Sequence, residues 1–407
     1  MKILILAFAC EPGRTSEPGV GWHVASEMAL RHDVTLITRA NNQTVIESFV
    51  AQHPDAPICR VKFLYYDLPP WMCWAKKRMP YGSQIYHELW QRKVAQKFQA
   101  EIETADLVHQ LTFGAAFFTP YAAPYAKRFV WGPLGGGDRP IEWSFLRKMG
   151  WRSILSELLY GRVSNCAING LPWVKRYRAA VSAIIYRSNE FATRMADRLT
   201  IPQAVIQETA YEESVHPRTF TSTQHPIKVL EVGRLITHKG VTFAIRAFAL
   251  FLSRGGEGEF VLCGDGDQRQ RLEEQAQNLG IATHVQFRGQ VGHDVVMTEM
   301  ASADVLLHLS FREGGSWSIL EAMAHGVPVI CQQRSGMDVM VSKDCGTRIA
   351  ATNDDELIDR AAAALMDCYH HPEKIAAQGM AAQARVETVY RWNLTVDQIE
   401  KIYLQVK

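Results

Sequence analysis

Short apolar runs alternate with longer helical stretches along most of this chain. K-I-L-I-L-A-F at 2–8 is nearly all apolar, as expected of a strand covered on both faces. The loop A-C-E-P-G-R-T-S-E-P-G-V-G-W follows, and an amphipathic helix is expected near 20–31. D-V-T-L-I-T (33–38), V-K-F-L-Y-Y (61–66), D-L-V-H-Q-L (106–111) and R-F-V-W-G-P (128–133) repeat the strand pattern. Strands separated by helices predict right-handed βαβ units and a parallel sheet.

The periodicity fades over 203–226, where T-F-T-S-T-Q-H-P reads as a linker. The pattern then restarts. I-K-V-L-E-V-G (227–233), E-F-V-L-C-G (259–264), V-Q-F-R-G (285–289), V-L-L-H-L (305–309) and P-V-I-C-Q (328–332) read as strands. Helices are expected at 240–252 and 268–279, and residues 354–407 read as mostly helical. The expected class is α/β, with two Rossmann-like doubly wound domains facing a central cleft. Their boundaries are drawn at 1–205 for an acceptor-side domain, 206–226 for the linker and 227–385 for a donor domain. A C-terminal helix at 386–407 is expected to pack back on the first domain. Open parallel sheets bind ligands at the carboxyl ends of their strands, so both sites would meet at that cleft.

With 407 residues, 47% hydrophobic and 21% charged, the chain is globular in composition and long enough for two cores. A net charge of +2 gives no ground for a nucleic-acid partner. Eight cysteines at 10, 59, 73, 166, 263, 331, 345 and 368 form no Cys-x-x-Cys pair and read as free thiols of a reducing compartment. No apolar run reaches the roughly 18 residues of a membrane span. The opening M-K-I-L-I-L-A-F-A-C could be read as a short signal ending at Cys10, but its length and single leading charge fit a first buried strand. Residues 139–178 stand apart: they are rich in Trp and Leu, with eight basic side chains against two acidic.

Two motifs carry chemistry. G-R-L-I-T-H-K-G (233–240) follows the first strand of the second domain. Gly233 permits a sharp turn, and Arg234 and Lys239 then stand at the strand's carboxyl end, a fork and a point charge suited to a diphosphate. E-G-G-S-W-S-I-L-E-A-M-A-H-G-V-P-V (313–329) reads as a turn followed by a helix from about Trp317 to His325, ended by Gly326 and blocked by Pro328. The backbone N–H groups of Gly314, Gly315 and Ser316 would make an anion site at that helix N-terminus. Carboxylates at 313 and 321 would repel phosphate, and make sense if they bind hydroxyls of a sugar or a ribose.

G-R-L-x-x-x-K-G, followed by E-G-x-x-x-x-x-x-E-A-M-A-x-G-x-P-V, resembles retaining glycosyltransferases of family 4, which have the GT-B fold. The resemblance covers the second domain well and the first more loosely. It implies that Arg234 and Lys239 hold the donor diphosphate, that Glu313 approaches the transferred sugar, and that Glu321 binds the ribose. It further implies that Gly19 and Gly21 of P-G-V-G form a glycine-rich loop near the donor, that His109 contacts the donor sugar, and that Val291 meets the nucleobase. W-G-P-L-G-G-G (131–137) shapes the acceptor side or is only a tight turn. The chain departs from the family at Gly315, where an aromatic residue is common, and at Trp317, where leucine is common.

The expected function is transfer of a sugar from a nucleoside-diphosphate sugar to a glycan or lipid-linked acceptor in cell-surface polysaccharide synthesis, with no dedicated nucleophile. No cofactor or metal is expected, because D-G-D (265–267) reads as a turn remote from the main motifs. The chain is expected in the cytoplasm. The basic, Trp-rich stretch 139–178 and W-M-C-W-A-K-K-R (71–78) would give peripheral contact with an anionic membrane. Rival readings are a nucleotide-sugar epimerase, a non-catalytic nucleotide-sugar-binding protein and, more weakly, an NAD-dependent dehydrogenase, which lacks G-x-G-x-x-G after the first strand.

Overall fold

The computed structural model describes residues 1–79, 81–169, 172–215, 218, 220 and 226–406. The chain divides into two compact units. The first comprises Met1–Asp138, Arg162–Glu208 and Trp392–Lys407, and the second comprises Arg139–Gly161 and Thr209–Arg391.

The first unit holds a seven-stranded parallel sheet. Its strands are β1 (Lys2–Leu6), β2 (Asp33–Thr38), β3 (Lys62–Tyr65), β4 (Leu107–Gln110), β5 (Phe129–Leu134), β6 (Ala183–Tyr186) and β7 (Gln203–Val205), in the order β3-β2-β1-β4-β5-β6-β7. Central β1 is paired on both sides, and Ile3 to Leu6 are all buried, which is why its sequence is an unbroken apolar run. Edge strand β3 is only half-buried and carries Lys62. The second unit holds a six-stranded parallel sheet of β8 (Ile227–Val232), β9 (Gly258–Cys263), β10 (Val285–Gly289), β11 (Val305–His308), β12 (Val329–Gln332) and β13 (Gly346–Ile349), in the order β10-β9-β8-β11-β12-β13.

Three strands escape the sequence reading. β6 is a run of only four apolar residues beside the basic stretch, β7 has three residues, and edge strand β13 reads G-T-R-I without an apolar pattern. The division of the chain also differs from the sequence reading. Arg139–Gly161 belongs with the second unit, because Ile141, Phe145, Leu146 and Met149 enter that unit's core. The Phe145 ring meets Phe243 at 5.8 Å and Phe311 at 5.0 Å between centroids.

Within the expected linker 206–226, residues up to Glu208 join the first unit and Thr209 begins the second. Residues 216, 217, 219 and 221–225 of that linker lie outside the described residues. The C-terminal helices are Asp354–His370, Pro372–Val389 and Trp392–Gln405. The last belongs to the first unit, where Trp392 stacks on His23 at 4.7 Å and Arg31 donates to Asp397 and Glu400 at 2.5 and 2.8 Å. All eight cysteines are free, and five of them are buried.

Candidate functional site in the second unit

Five loops leave the carboxyl ends of β8 to β12, and the motif residues of the second unit lie on them. The β8 loop runs from Gly233 to a short turn at Thr237–Lys239, and Gly240 begins the helix Val241–Ser253. Gly240 has φ +69, and a Cβ there would sit 2.1 Å from the Leu309 carbonyl oxygen, so no other residue fits. Phe311 N–H donates to the His238 carbonyl at 2.8 Å, which zips the β8 loop to the end of β11. Arg234 stands exposed on that loop, and Lys239 is half-buried.

Lys239 Nζ pairs with the Glu313 carboxylate. Behind Glu313 lies His308, the last residue of β11, whose Nε2 is 3.1 Å from Glu313 Oε1. Its Nδ1 is 3.1 and 3.0 Å from the two carboxylate oxygens of Glu231 on the adjacent strand β8. The order is therefore Glu231, His308, Glu313, Lys239, two negative groups alternating with two positive ones. Both ring nitrogens of His308 face carboxylate oxygens, which requires both to carry a proton. Burial alone would lower the His308 pKa, but Glu231 and then Glu313 override it and raise the value to about 9. Burial likewise pushes Glu313 up, and the His308 hydrogen bond with the Lys239 charge outweighs it, holding the carboxyl at about 2.

Sequence reasoning found Lys239 and Glu313 but missed His308 and Glu231. A signal was present: one histidine and one glutamate inside the otherwise apolar runs V-L-L-H-L and V-L-E-V. Charged side chains are almost never fully buried unless paired.

The turn after Glu313 is pinned from β12. Ser335 Oγ donates to the Glu313 carbonyl at 2.6 Å and accepts from Glu313 N–H at 3.2 Å, while Gly336 N–H donates to the same carbonyl at 2.8 Å. Gly314 and Gly315 lead to Ser316, which caps the helix Trp317–Ala324 and is 4% exposed. Ser316 N–H donates to Met340 Sδ at 3.3 Å. A Cβ at Gly315 would lie 2.5 Å from Thr209 Cγ2, which explains why this chain has no aromatic side chain there. Glu321, in the second turn of the helix, is buried rather than a surface acid; His293 Nε2 is 3.1 Å from it, and burial raises its pKa. Val291 lies half-buried between β10 and the helix His293–Ser302, packed against the unit's core.

Asp265–Asp267 is not remote from these motifs. β9 pairs with β8, and Leu235 N–H donates to the Asp265 carbonyl at 2.9 Å. Asp265 Oδ1 accepts from Gly266 N–H at 2.7 Å, and Asp265 pairs with Arg269 at 3.5 Å. The D-G-D letters are the turn itself.

Three expected site residues, His109, Gly19 and Gly21, lie in the first unit. His109 on β4 is fully buried. A carbonyl only accepts, so its Nε2–H donates to the Gly132 oxygen at 2.7 Å and Nδ1 accepts from the Tyr403 hydroxyl at 2.6 Å. Burial lowers its pKa to about 4, so the ring is neutral and both nitrogens are occupied by the fold. His109 is a tie between β4, β5 and the C-terminal helix. Gly19 and Gly21 do not form a loop, because the helix starts at Ser16 and contains P-G-V-G. A Cβ at Gly19 would lie 2.2 Å from the Arg14 carbonyl, and one at Gly21 would lie 2.2 Å from the Ala9 carbonyl. Both glycines admit the chain's own backbone between β1 and the helix.

Two parallel α/β units of these strand orders are a GT-B glycosyltransferase fold. The lipopolysaccharide outer core galactosyltransferase WaaB, in its apo form, superposes with a TM-score of 0.66 over 99% of each chain at 15% identity, which establishes the fold alone. Within that fold, residues 216–382 match the family model of "Glycosyl transferases group 1".

Curated relatives point the same way. The gpi3 subunit of phosphatidylinositol N-acetylglucosaminyltransferase from Schizosaccharomyces pombe is 24% identical over 49% of this chain. That match spans 43% of the yeast protein's own length. A GDP-mannose-dependent monoacylated alpha-(1-6)-phosphatidylinositol monomannoside mannosyltransferase from Corynebacterium glutamicum is 24% identical over 74% of this chain and 78% of its own.

Proposed function

We propose that the protein is a retaining glycosyltransferase that moves a sugar from a nucleoside-diphosphate sugar to a hydroxyl of a glycan or lipid-linked acceptor. The observation that carries this reading is the Glu231–His308–Glu313–Lys239 network at the mouth of a group 1 glycosyltransferase domain. Without a ligand, Glu313 neutralises Lys239. An incoming diphosphate competes for that ammonium and finds Arg234 on the same loop and the N–H groups at the start of Trp317–Ala324. The Glu313 oxygens then turn toward sugar hydroxyls, held by a histidine that stays protonated. Stabilising charge on the departing diphosphate is the largest catalytic contribution. Glu321, buried and engaged only by His293 among the bonds above, suits the hydroxyls of a ribose. The GDP-mannose named for the bacterial relative supports a nucleotide sugar as donor.

A panel of nucleotide sugars, scored by thermal shift and by nucleoside diphosphate released with and without acceptor, tests the reading. Release that requires acceptor separates transfer from epimerisation and from binding without turnover. No metal is invoked, so turnover persists when a chelator is added; its abolition would refute that part.

Contact with an anionic membrane surface is the second element of the proposal. Among the described residues no helix is long and apolar enough to cross a membrane. Yet Trp151, Leu155 and Leu158, which follow one face of the helix Trp151–Asn169, are 70%, 64% and 55% exposed, with Arg147, Lys148 and Arg162 exposed nearby. Vesicles containing phosphatidylserine are expected to bind the protein at low salt, with binding lost as salt rises. Trp151→Glu combined with Leu155→Glu removes it. Absence of binding at low salt disposes of the idea.

A further inference from the structure

The second unit contains a cavity of about 310 Å³ that is lined by Ile236, Thr237 and His238 of the β8 loop but by neither Arg234 nor Lys239, nor by any other member of the ion network. Its floor is the zipped pair of loops after β8 and β11. At each loop one residue enters the network and its chain neighbour faces the cavity. Lys239 and Glu313 pair with each other, whereas His238 and Arg312 line the cavity. The far wall comes from the segment 139–161, the part of the chain that the sequence reading had assigned to the other domain. Ile141 and Leu146 supply apolar surface, and Ser156 and Glu157 supply polar groups. Gln268, beside the D-G-D turn, completes the rim.

The one arginine of this cavity is compensated, and Asp267 adds a carboxylate to the lining. Arg312 is bound to Glu157 at 2.7 Å and lies over the Tyr160 ring at 3.7 Å. Glu157 is 4% exposed, and its other oxygen accepts from Ile141 N–H at 2.7 Å. His238 is held uncharged, with its pKa lowered to about 4 by burial and by Arg312 and Lys239. A phosphate or nucleotide entering here would find no uncompensated cation. What remains is the Asp267 carboxylate and a set of groups that both donate and accept: the Ser156 hydroxyl, the Gln268 amide, and the Ser153 and Thr237 hydroxyls that face each other at 2.9 Å. Hydroxyls and an amide beside apolar Ile141 and Leu146 match a ring with a hydroxyl rim and a C–H face. Small-molecule sites span about 300–1,000 Å³, and this cavity stands at the lower end, room for one ring rather than a chain.

We propose that this cavity binds one ring of a neutral saccharide, a unit of the acceptor glycan, at a place separate from the donor diphosphate. Its assignment to the acceptor rests on the glycosyl-transfer reading above; the chemistry of the cavity does not. The arrangement gives the segment 139–161 a purpose within the second unit: it closes a sugar-sized space over the back of the loops that carry Lys239 and Glu313. A bound ring would restrain those loops from behind.

The test uses the full chain and saturation-transfer NMR with glucose, galactose, mannose and N-acetylglucosamine, each at millimolar concentration. Wild type is compared with Ser156→Trp, which fills the cavity, and Gln268→Ala, which deletes the amide. Thermal shift by uridine and guanosine diphosphates reports on the donor site in all three proteins. At least one sugar should give transfer with wild type, lose it in Ser156→Trp and bind about tenfold more weakly in Gln268→Ala, with the diphosphate shift unchanged. No transfer from any of the four sugars, transfer unaffected by both variants, or displacement by inorganic phosphate would overturn the proposal. If sugars bind as expected while neither diphosphate shifts the wild type, the saccharide site stands and the glycosyl-transfer reading fails.

Discussion

His308→Leu is expected to destabilise the second unit by about 3–5 kcal/mol, the cost of leaving a buried carboxylate without its counter-charge. Glu231 is 2% exposed and His308 is 0% exposed, so water cannot replace the imidazolium. The double change Glu231→Gln with His308→Leu should recover a large part of the loss, because it removes the stranded charge along with its partner. Urea unfolding midpoints of the full chain and of the two variants measure this. The pH dependence gives a second check. The folded-state pKa of His308 is raised from 6.5 to about 9. Its contribution is therefore complete below pH 6.5 and lost as pH rises through about 9. The stability gap between wild type and His308→Leu should narrow across that interval. A gap below about 1 kcal/mol, or a double variant as unstable as the single one, would mean that the pairing is not what holds these strands together.

Glu313→Gln is expected to lower kcat by about 100-fold or more while the fold survives, the loss found when one preorganised polar group is removed from a transition state. The amide oxygen can still accept from His308, so the turn keeps its position. What disappears is the negative charge that balances Lys239 and faces the sugar. Lys239→Ala should reduce kcat/KM by a similar factor for a different reason, the loss of a cation from the leaving diphosphate. Acceptor-dependent release of nucleoside diphosphate is the measurement for both. Full turnover by Glu313→Gln would exclude the carboxylate from the chemistry and favour a protein that binds nucleotide sugar without transferring it. Some loss of stability is expected, because His308 and Lys239 hold the ionised carboxylate, and a fold retained at the assay temperature alongside the kinetic loss separates a chemical role from a structural one.

Position in the sheet explains which parts of the fold were legible in the amino-acid sequence. β1 to β5 and β8 to β12 were placed within about two residues; the central strands among them carry the apolar runs that pairing on both sides requires, and edge strand β10 was marked by the glycine that ends it. β6, β7 and β13 were missed, since short or edge strands need no such run. The helix Trp317–Ala324 and its stop at Gly326 were read from capping letters alone. His109 shows the opposite case. A histidine at the end of an apolar strand looks the same whether it faces a sugar or a hydroxyl three hundred residues away, and here Tyr403 takes it. Gly19 and Gly21 likewise resemble a ligand loop until the Ala9 and Arg14 carbonyls are seen against them.

By itself the sequence determined two doubly wound α/β domains, the loops that bear Arg234, Lys239 and Glu313, and the turn before Ser316. These follow from local periodicity and from glycines and caps acting over a few residues. Only the tertiary structure decided that Glu231 and His308 stand behind Glu313, that His109 belongs to the core of the first unit, and that 139–161 joins the second. Each of those is a pairing between residues tens to hundreds of positions apart. Burial settles such pairings, because a charge or ring taken out of water must find a partner wherever the fold supplies one.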